Sequence, residues 1–118
     1  MEMEKVIKLS ETEYEIFFDE PSYTISFKMN KQIRKSLDEK YKNFSEFLRK
    51  SLDEEIECIT ERDLLTLDKL KQSELQVVSF RLKQSELQKL DEEAKKFKVT
   101  RTDMILLKMG RVLNNVQQ

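Results

Sequence analysis

Histidine is absent from the 118 residues, and glycine, proline and cysteine occur once each. Without histidine the commonest general base near neutral pH is missing, and a zinc site has almost no ligands. Gly110 and Pro21 leave no glycine-rich loop to cradle a phosphate, and Gly110 lies in a stretch that reads as helix. Cys58 alone cannot close an internal disulfide. No run approaches the roughly 18 apolar residues of a membrane span. The start, Met1-Glu-Met-Glu-Lys5, is acidic and lacks the basic flank and apolar core of a signal peptide. These absences predict a chain without metal or cofactor, not an enzyme, with no membrane partner and a cytoplasmic location.

What is present is charge. Charged residues make up 38% of the chain and hydrophobic residues another 38%, so the core is thin and the surface ionic. Abundant Lys and Glu with little glycine or cysteine resemble the composition of hyperthermophile proteins, where ion pairs are desolvated at lower cost when hot.

The net charge of −1 hides an uneven distribution. Residues 1–22 carry two basic and seven acidic side chains, and residues 23–58 carry eight and seven. Residues 59–76 carry three and four, whereas residues 77–118 carry nine and five. An acidic protein thus holds two locally basic segments. In the first, acidic segment, Tyr14, Ile16 and Phe18 alternate with acidic residues, which predicts a small hairpin arm ended by Pro21. Such an arm either packs on the rest of the chain or contacts a protein partner.

Tyr23 to Met29 alternates as a strand, with Ile25, Phe27 and Met29 on one face and Thr24, Ser26 and Lys28 on the other. The period then becomes helical, with Ile33, Leu37 and Tyr41 in one stripe. Ser45 reads as the N-cap of a second helix over about 46–58, carrying Phe47, Leu48, Leu52 and Ile56. The order recurs. Val78, Phe80 and Leu82 alternate with Val77, Ser79 and Arg81, and a helix follows with Leu87, Leu90, Ala94 and Phe97. Thr102 reads as the N-cap of a last helix whose 104–113 stretch is nearly apolar all round, so neighbours must bury it.

The two halves align. Ile25–Met29 matches Val78–Leu82 at an offset of 53, and Leu37-Asp-Glu39 keeps that offset with Leu90-Asp-Glu92. Ser45–Leu48 matches Thr102–Ile105 at 57, so the first copy lacks four residues near the end of its first helix. This is an internal duplication. Between the copies, Thr60 through Leu75 reads as a helical connector with Leu64, Leu67 and Leu70 on one side and Thr60 and Asp63 as a capping pair. The heptapeptide Leu-Lys-Gln-Ser-Glu-Leu-Gln occurs at both 70–76 and 82–88.

A strand with two helices cannot bury enough surface to fold alone. Two such strands paired antiparallel give a mostly α architecture with a two-stranded ribbon backed by helices. The ribbon's outer face then shows Thr24, Ser26, Lys28, Val77, Ser79 and Arg81. A two-stranded ribbon fits the major groove of B-DNA, about 12 Å wide, where hydroxyl and long basic side chains match base edges.

Residues 23–56 and 77–113 resemble the ribbon-helix-helix transcription regulators of the Arc, MetJ and CopG type. The resemblance is carried by Val78-Ser-Phe-Arg-Leu82, Leu87-Gln-Lys-Leu-Asp91 and Val99-Thr-Arg-Thr-Asp-Met-Ile105, and in shorter form by Ile25–Met29 and Asn43–Arg49. Tandem copies are similar to the double ribbon-helix-helix regulators of archaeal filamentous viruses, which would place the chain in the host cell cytoplasm. The resemblance implies two ribbon-helix-helix units, with base reading by Thr24, Ser26, Lys28, Val77, Ser79 and Arg81. It also implies phosphate contacts at the second helix of each unit, through Ser45, Glu46, Thr102 and Asp103, with Lys42, Asn43, Lys98 and Arg101 nearby. Val77 departs from the usual polar residue and offers only an apolar contact, such as one to a thymine methyl.

The expected function is therefore sequence-specific binding of double-stranded DNA by a transcription regulator. Strands pair either within one chain or between chains of a homo-oligomer. The alternative is an antitoxin-like or scaffold protein acting through protein contacts of segment 1–22 or the apolar 104–113 stretch. Phe27, Phe80, Met104 and Met109 are expected in the core, and Cys58 as a small buried residue.

Overall fold

The computed structural model describes residues 21–41 and 43–116. The hairpin arm expected over residues 1–22 lies almost wholly outside them. Among the described residues are five helices and one two-stranded antiparallel sheet. Strand β1 (Ser22–Asn30) leads into α1 (Lys31–Lys40) and α2 (Phe44–Leu52). Helix α3 (Glu61–Lys71) connects these to β2 (Leu75–Lys83), followed by α4 (Gln84–Phe97) and α5 (Arg101–Val116). No helix among the described residues is long and apolar enough to cross a membrane.

The strands pair within the chain, and the alternation of their side chains decides which face is buried. Ile25, Phe27, Met29, Val78 and Leu82 are buried, with Phe80 partly so. Phe27 meets Phe80 edge to face with centroids 5.9 Å apart, a favoured geometry for two rings.

Helix α1 spans ten residues and α4 fourteen, so the four-residue difference between the copies falls where the alignment places it. Each begins directly at the end of its strand. The Asn30 side chain accepts from the Ile33 N–H and donates to the Gln72 carbonyl, whereas Glu86 closes the start of α4 by accepting from the Lys83 N–H. Lys98 ends α4 in the left-handed conformation, φ 58°.

Three boundaries correct the sequence reading. Helix α2 starts at Phe44 and stops at Leu52, with Asn43 rather than Ser45 as its cap; Asn43 Oδ1 accepts from the Ser45 N–H at 2.9 Å. At α5 the Thr100 hydroxyl, not Thr102, accepts from the Asp103 N–H. The side-chain oxygens of Asn43 and Thr100 satisfy otherwise orphan donors of the first turn, which fixes both starts two residues early. Helix α3 ends at Lys71, so Leu75 belongs to a strand, and Leu64 points to solvent while Leu67 and Leu70 are buried. The Thr60–Asp63 capping box is present as the sequence predicts.

Helix α5 is the centre of the fold. Met104 through Met109 and Val112 are buried, covered by α2, α3 and α4. The same helix carries two cations that fasten the irregular segment after α2. Lys108, only 1% exposed, ion-pairs with Glu93 at 2.8 Å and donates to the Glu54 carbonyl at 2.6 Å. A cation there also complements the negative end of α2. Arg111 grips Asp63 through two hydrogen bonds, 2.9 and 2.8 Å, and donates to the Cys58 carbonyl. Cys58 itself is exposed, contrary to expectation, because α2 ends before reaching it. At Gly110 helix α5 packs directly against α3. A Cβ there would sit 2.8 Å from Thr66 Cγ2.

Candidate nucleic-acid interface

The ribbon's second face is open to solvent. Thr24, Ser26, Lys28, Val77, Ser79 and Arg81 are all exposed, on the face their alternation assigns them. The register sets Thr24 opposite Arg81, Ser26 opposite Ser79, and Lys28 opposite Val77. Serines 26 and 79, equivalent in the duplication, share a hydrogen bond of 2.8 Å between their hydroxyls. Arg81 Nη1 reaches Thr24 Oγ1 at 3.5 Å. Among the described residues neither Lys28 nor Arg81 makes an ion pair.

Two neighbouring acids are paired, whereas Glu46 at the start of α2 makes no ion pair among the described residues. Lys31 pairs with Glu74 at 3.6 Å near one end of the ribbon. Arg49 holds Glu86 through two hydrogen bonds, 3.0 and 2.8 Å, and donates to the Arg81 carbonyl at 2.8 Å. This contact ties α2, β2 and α4 together. Glu86 is pulled below the usual carboxylate range: its burial opposes the shift, but the Lys83 N–H and Arg49 outweigh it.

The two helix starts differ in what they offer. At α2, Ser45, Arg49, Ser79 and Arg81 line one shallow depression, so a helix N-terminal hydroxyl stands beside two ribbon residues. Asn43 and Glu46 are exposed there, and Lys42 lies outside the described residues. At α5 the charges are committed internally. Arg101 forms a two-pronged pair with Asp91, 2.7 and 2.9 Å, and Asp103 pairs with Lys71 at 2.9 Å. The Asp91 carboxylate holds Arg101 more firmly protonated than an isolated guanidinium. Thr102 is half-buried, and Lys98 is exposed at the turn. The structure therefore joins Ser45 to the ribbon face but engages Arg101 and Asp103 elsewhere.

Sequence reasoning missed Arg49, Ser22, Lys83 and Leu75 as residues of this region. Arg49 could be found only from the tertiary pairing, whereas Leu75 was hidden by the helix-friendly heptapeptide around it. Among the described residues no cluster of Cys, Asp or Glu could hold a metal ion. No known protein family, curated protein or solved structure matches the chain.

Proposed function

We propose that this chain is a sequence-specific double-stranded DNA-binding transcription regulator, built as two ribbon-helix-helix units joined in tandem. The observation that carries the reading is the ribbon itself. Its apolar face is buried, while its other face presents to solvent two serines, a threonine and two cations that make no ion pair among the described residues. Such a face matches the major groove, where hydroxyls and a guanidinium meet base-edge donors and acceptors. The α2 start adds the positive end of a helix and the Ser45 hydroxyl beside the ribbon, a place suited to a backbone phosphate.

Protein contact is the second reading. Leu64 and Leu65, adjacent on α3, are 51% and 61% exposed and offer a small apolar patch. The 104–113 stretch gives it no support, because its apolar side chains are covered within the chain.

Selection of bound duplexes from a random pool, followed by footprinting, tests the proposal. Enrichment of one motif, protected from cleavage and bound with steep salt dependence, is the expected result. Equal retention of all duplexes, or none, would contradict it.

A further inference from the structure

The duplication makes each outward position of β1 equivalent to one of β2, 53 residues later: Ser22 to Leu75, Thr24 to Val77, Ser26 to Ser79, Lys28 to Arg81, and Asn30 to Lys83. Antiparallel pairing centred on Ser26 and Ser79 crosses these positions. One half of the outer face gathers Ser22, Thr24, Arg81 and Lys83, and every side chain in it is polar. The other half gathers Lys28, Val77 and Leu75, with Asn30 buried and occupied in capping α1. Val77 is 56% exposed and Leu75 42%. The outer face of the ribbon thus carries two chemically unlike halves.

Resting on the DNA-binding reading above, we infer that the ribbon reads duplex DNA in one direction: Val77 and Leu75 contact thymine methyl groups on one side of the site, and Arg81 hydrogen-bonds a guanine on the other. Valine and leucine neither donate nor accept, so they lose hydration without gain unless they meet an apolar group. The thymine 5-methyl is the apolar group that a major groove displays. The planar fork of Arg81 suits guanine O6 and N7, and Thr24 Oγ1 lies at its side to steer it. A strand rises about 3.3 Å per residue and stacked bases about 3.4 Å. Val77 and Arg81 each lie two residues from Ser79, so their targets fall roughly two base pairs to either side of the centre.

Replacing thymine by uracil in the selected duplex, one position at a time, removes the methyl and nothing else. Uracil in one half should weaken binding about fourfold, the effect of one lost buried methyl, and leave it unchanged in the other half. The double variant Leu75→Ser, Val77→Ser, which removes both apolar contacts, should abolish that sensitivity while preserving preference for guanine on the far side. A palindromic selected motif, an equal response to uracil in both halves, or no response at all would overturn the inference and leave DNA binding standing. So would methyl sensitivity that survives the Leu75→Ser, Val77→Ser double variant. Absence of any selected motif would instead remove the DNA-binding reading, and this inference with it.

Discussion

The hydroxyls of Ser26 and Ser79 lie 2.8 Å apart at the middle of the ribbon, where the two copies of the duplicated unit meet. Each is the other's counterpart at the sequence offset of 53, and the antiparallel register sets them directly opposite. The hydrogen bond is exposed and stabilises little. Replacing both serines by alanine should change unfolding free energy by less than about 0.5 kcal/mol. Discrimination at the central base pairs should fall by about 1 kcal/mol or more. Chemical denaturation and competition binding with centre-substituted duplexes measure the two effects separately.

Gly110 tests the packing of α5 on α3. Alanine favours a helix interior by about 1 kcal/mol over glycine, yet its Cβ would lie 2.8 Å from Thr66 Cγ2. Overpacking of that kind costs about 1–3 kcal/mol, so Gly110→Ala should be destabilising by about 1 kcal/mol. Thr66→Ser removes the obstructing methyl, and Gly110→Ala in that background should be stabilising. Thermal denaturation of the wild type and the three variants decides the sign.

Asp63 gives the fold an acid limit. Hydrogen bonds from Arg111 hold its carboxyl below the ordinary 3.8, with burial opposing and the Thr60 contacts assisting. A carboxyl with a lowered native value contributes stability that is complete above its unfolded value and lost as pH falls through the native one. Stability should therefore decline below about pH 4. Asp63→Asn should be less stable at pH 7 and show a shallower decline in acid, as followed by denaturation midpoints against pH. Arg111→Leu strands a buried carboxylate. Because the guanidinium is partly exposed, its cost should be about 2 kcal/mol, below that of a fully buried pair.

Lys98 and Arg101 should separate in their salt response. Lys98 is exposed at the turn before α5, whereas Arg101 is held by Asp91. Lys98→Gly keeps the left-handed cap that glycine adopts without strain, and should reduce the slope of log affinity against log salt by about 0.9 if the lysine meets a phosphate. Arg101→Ala should mainly lower thermal stability and leave that slope nearly unchanged. Titrations at several salt concentrations make the comparison.

Period-two alternation at 23–29 and 77–82 marked both strands and their buried faces, and the shift of offset from 53 to 57 located the shorter first helix. These features are local, and packing reinforces them. The sequence suggests caps two residues too late because Ser45 and Thr102 lie nearer the apolar runs. The spacing Thr100-Arg-Thr-Asp103, a hydroxyl three residues before a carboxylate, held the better signal. The repeated heptapeptide shows where local reading ends. At 70–76 it closes a helix and opens a strand, and at 82–88 it ends a strand and opens a helix. Identical residues take opposite roles because tertiary pairing overrides weak propensity. The Arg49–Glu86 and Arg101–Asp91 pairs depend on how helices are juxtaposed, and side-chain spacing alone carries no trace of the former.

The ribbon's outer face bears the central claim, and its two cations are the most direct handle on it. Affinities of the wild-type chain and the Lys28→Ala, Arg81→Ala double variant should be compared on the selected duplex and on a scrambled one, at fixed salt. The wild type should prefer the selected duplex strongly, and the folded double variant should bind both alike. A double variant that still prefers the selected duplex to the same degree would show that these side chains do not read its bases.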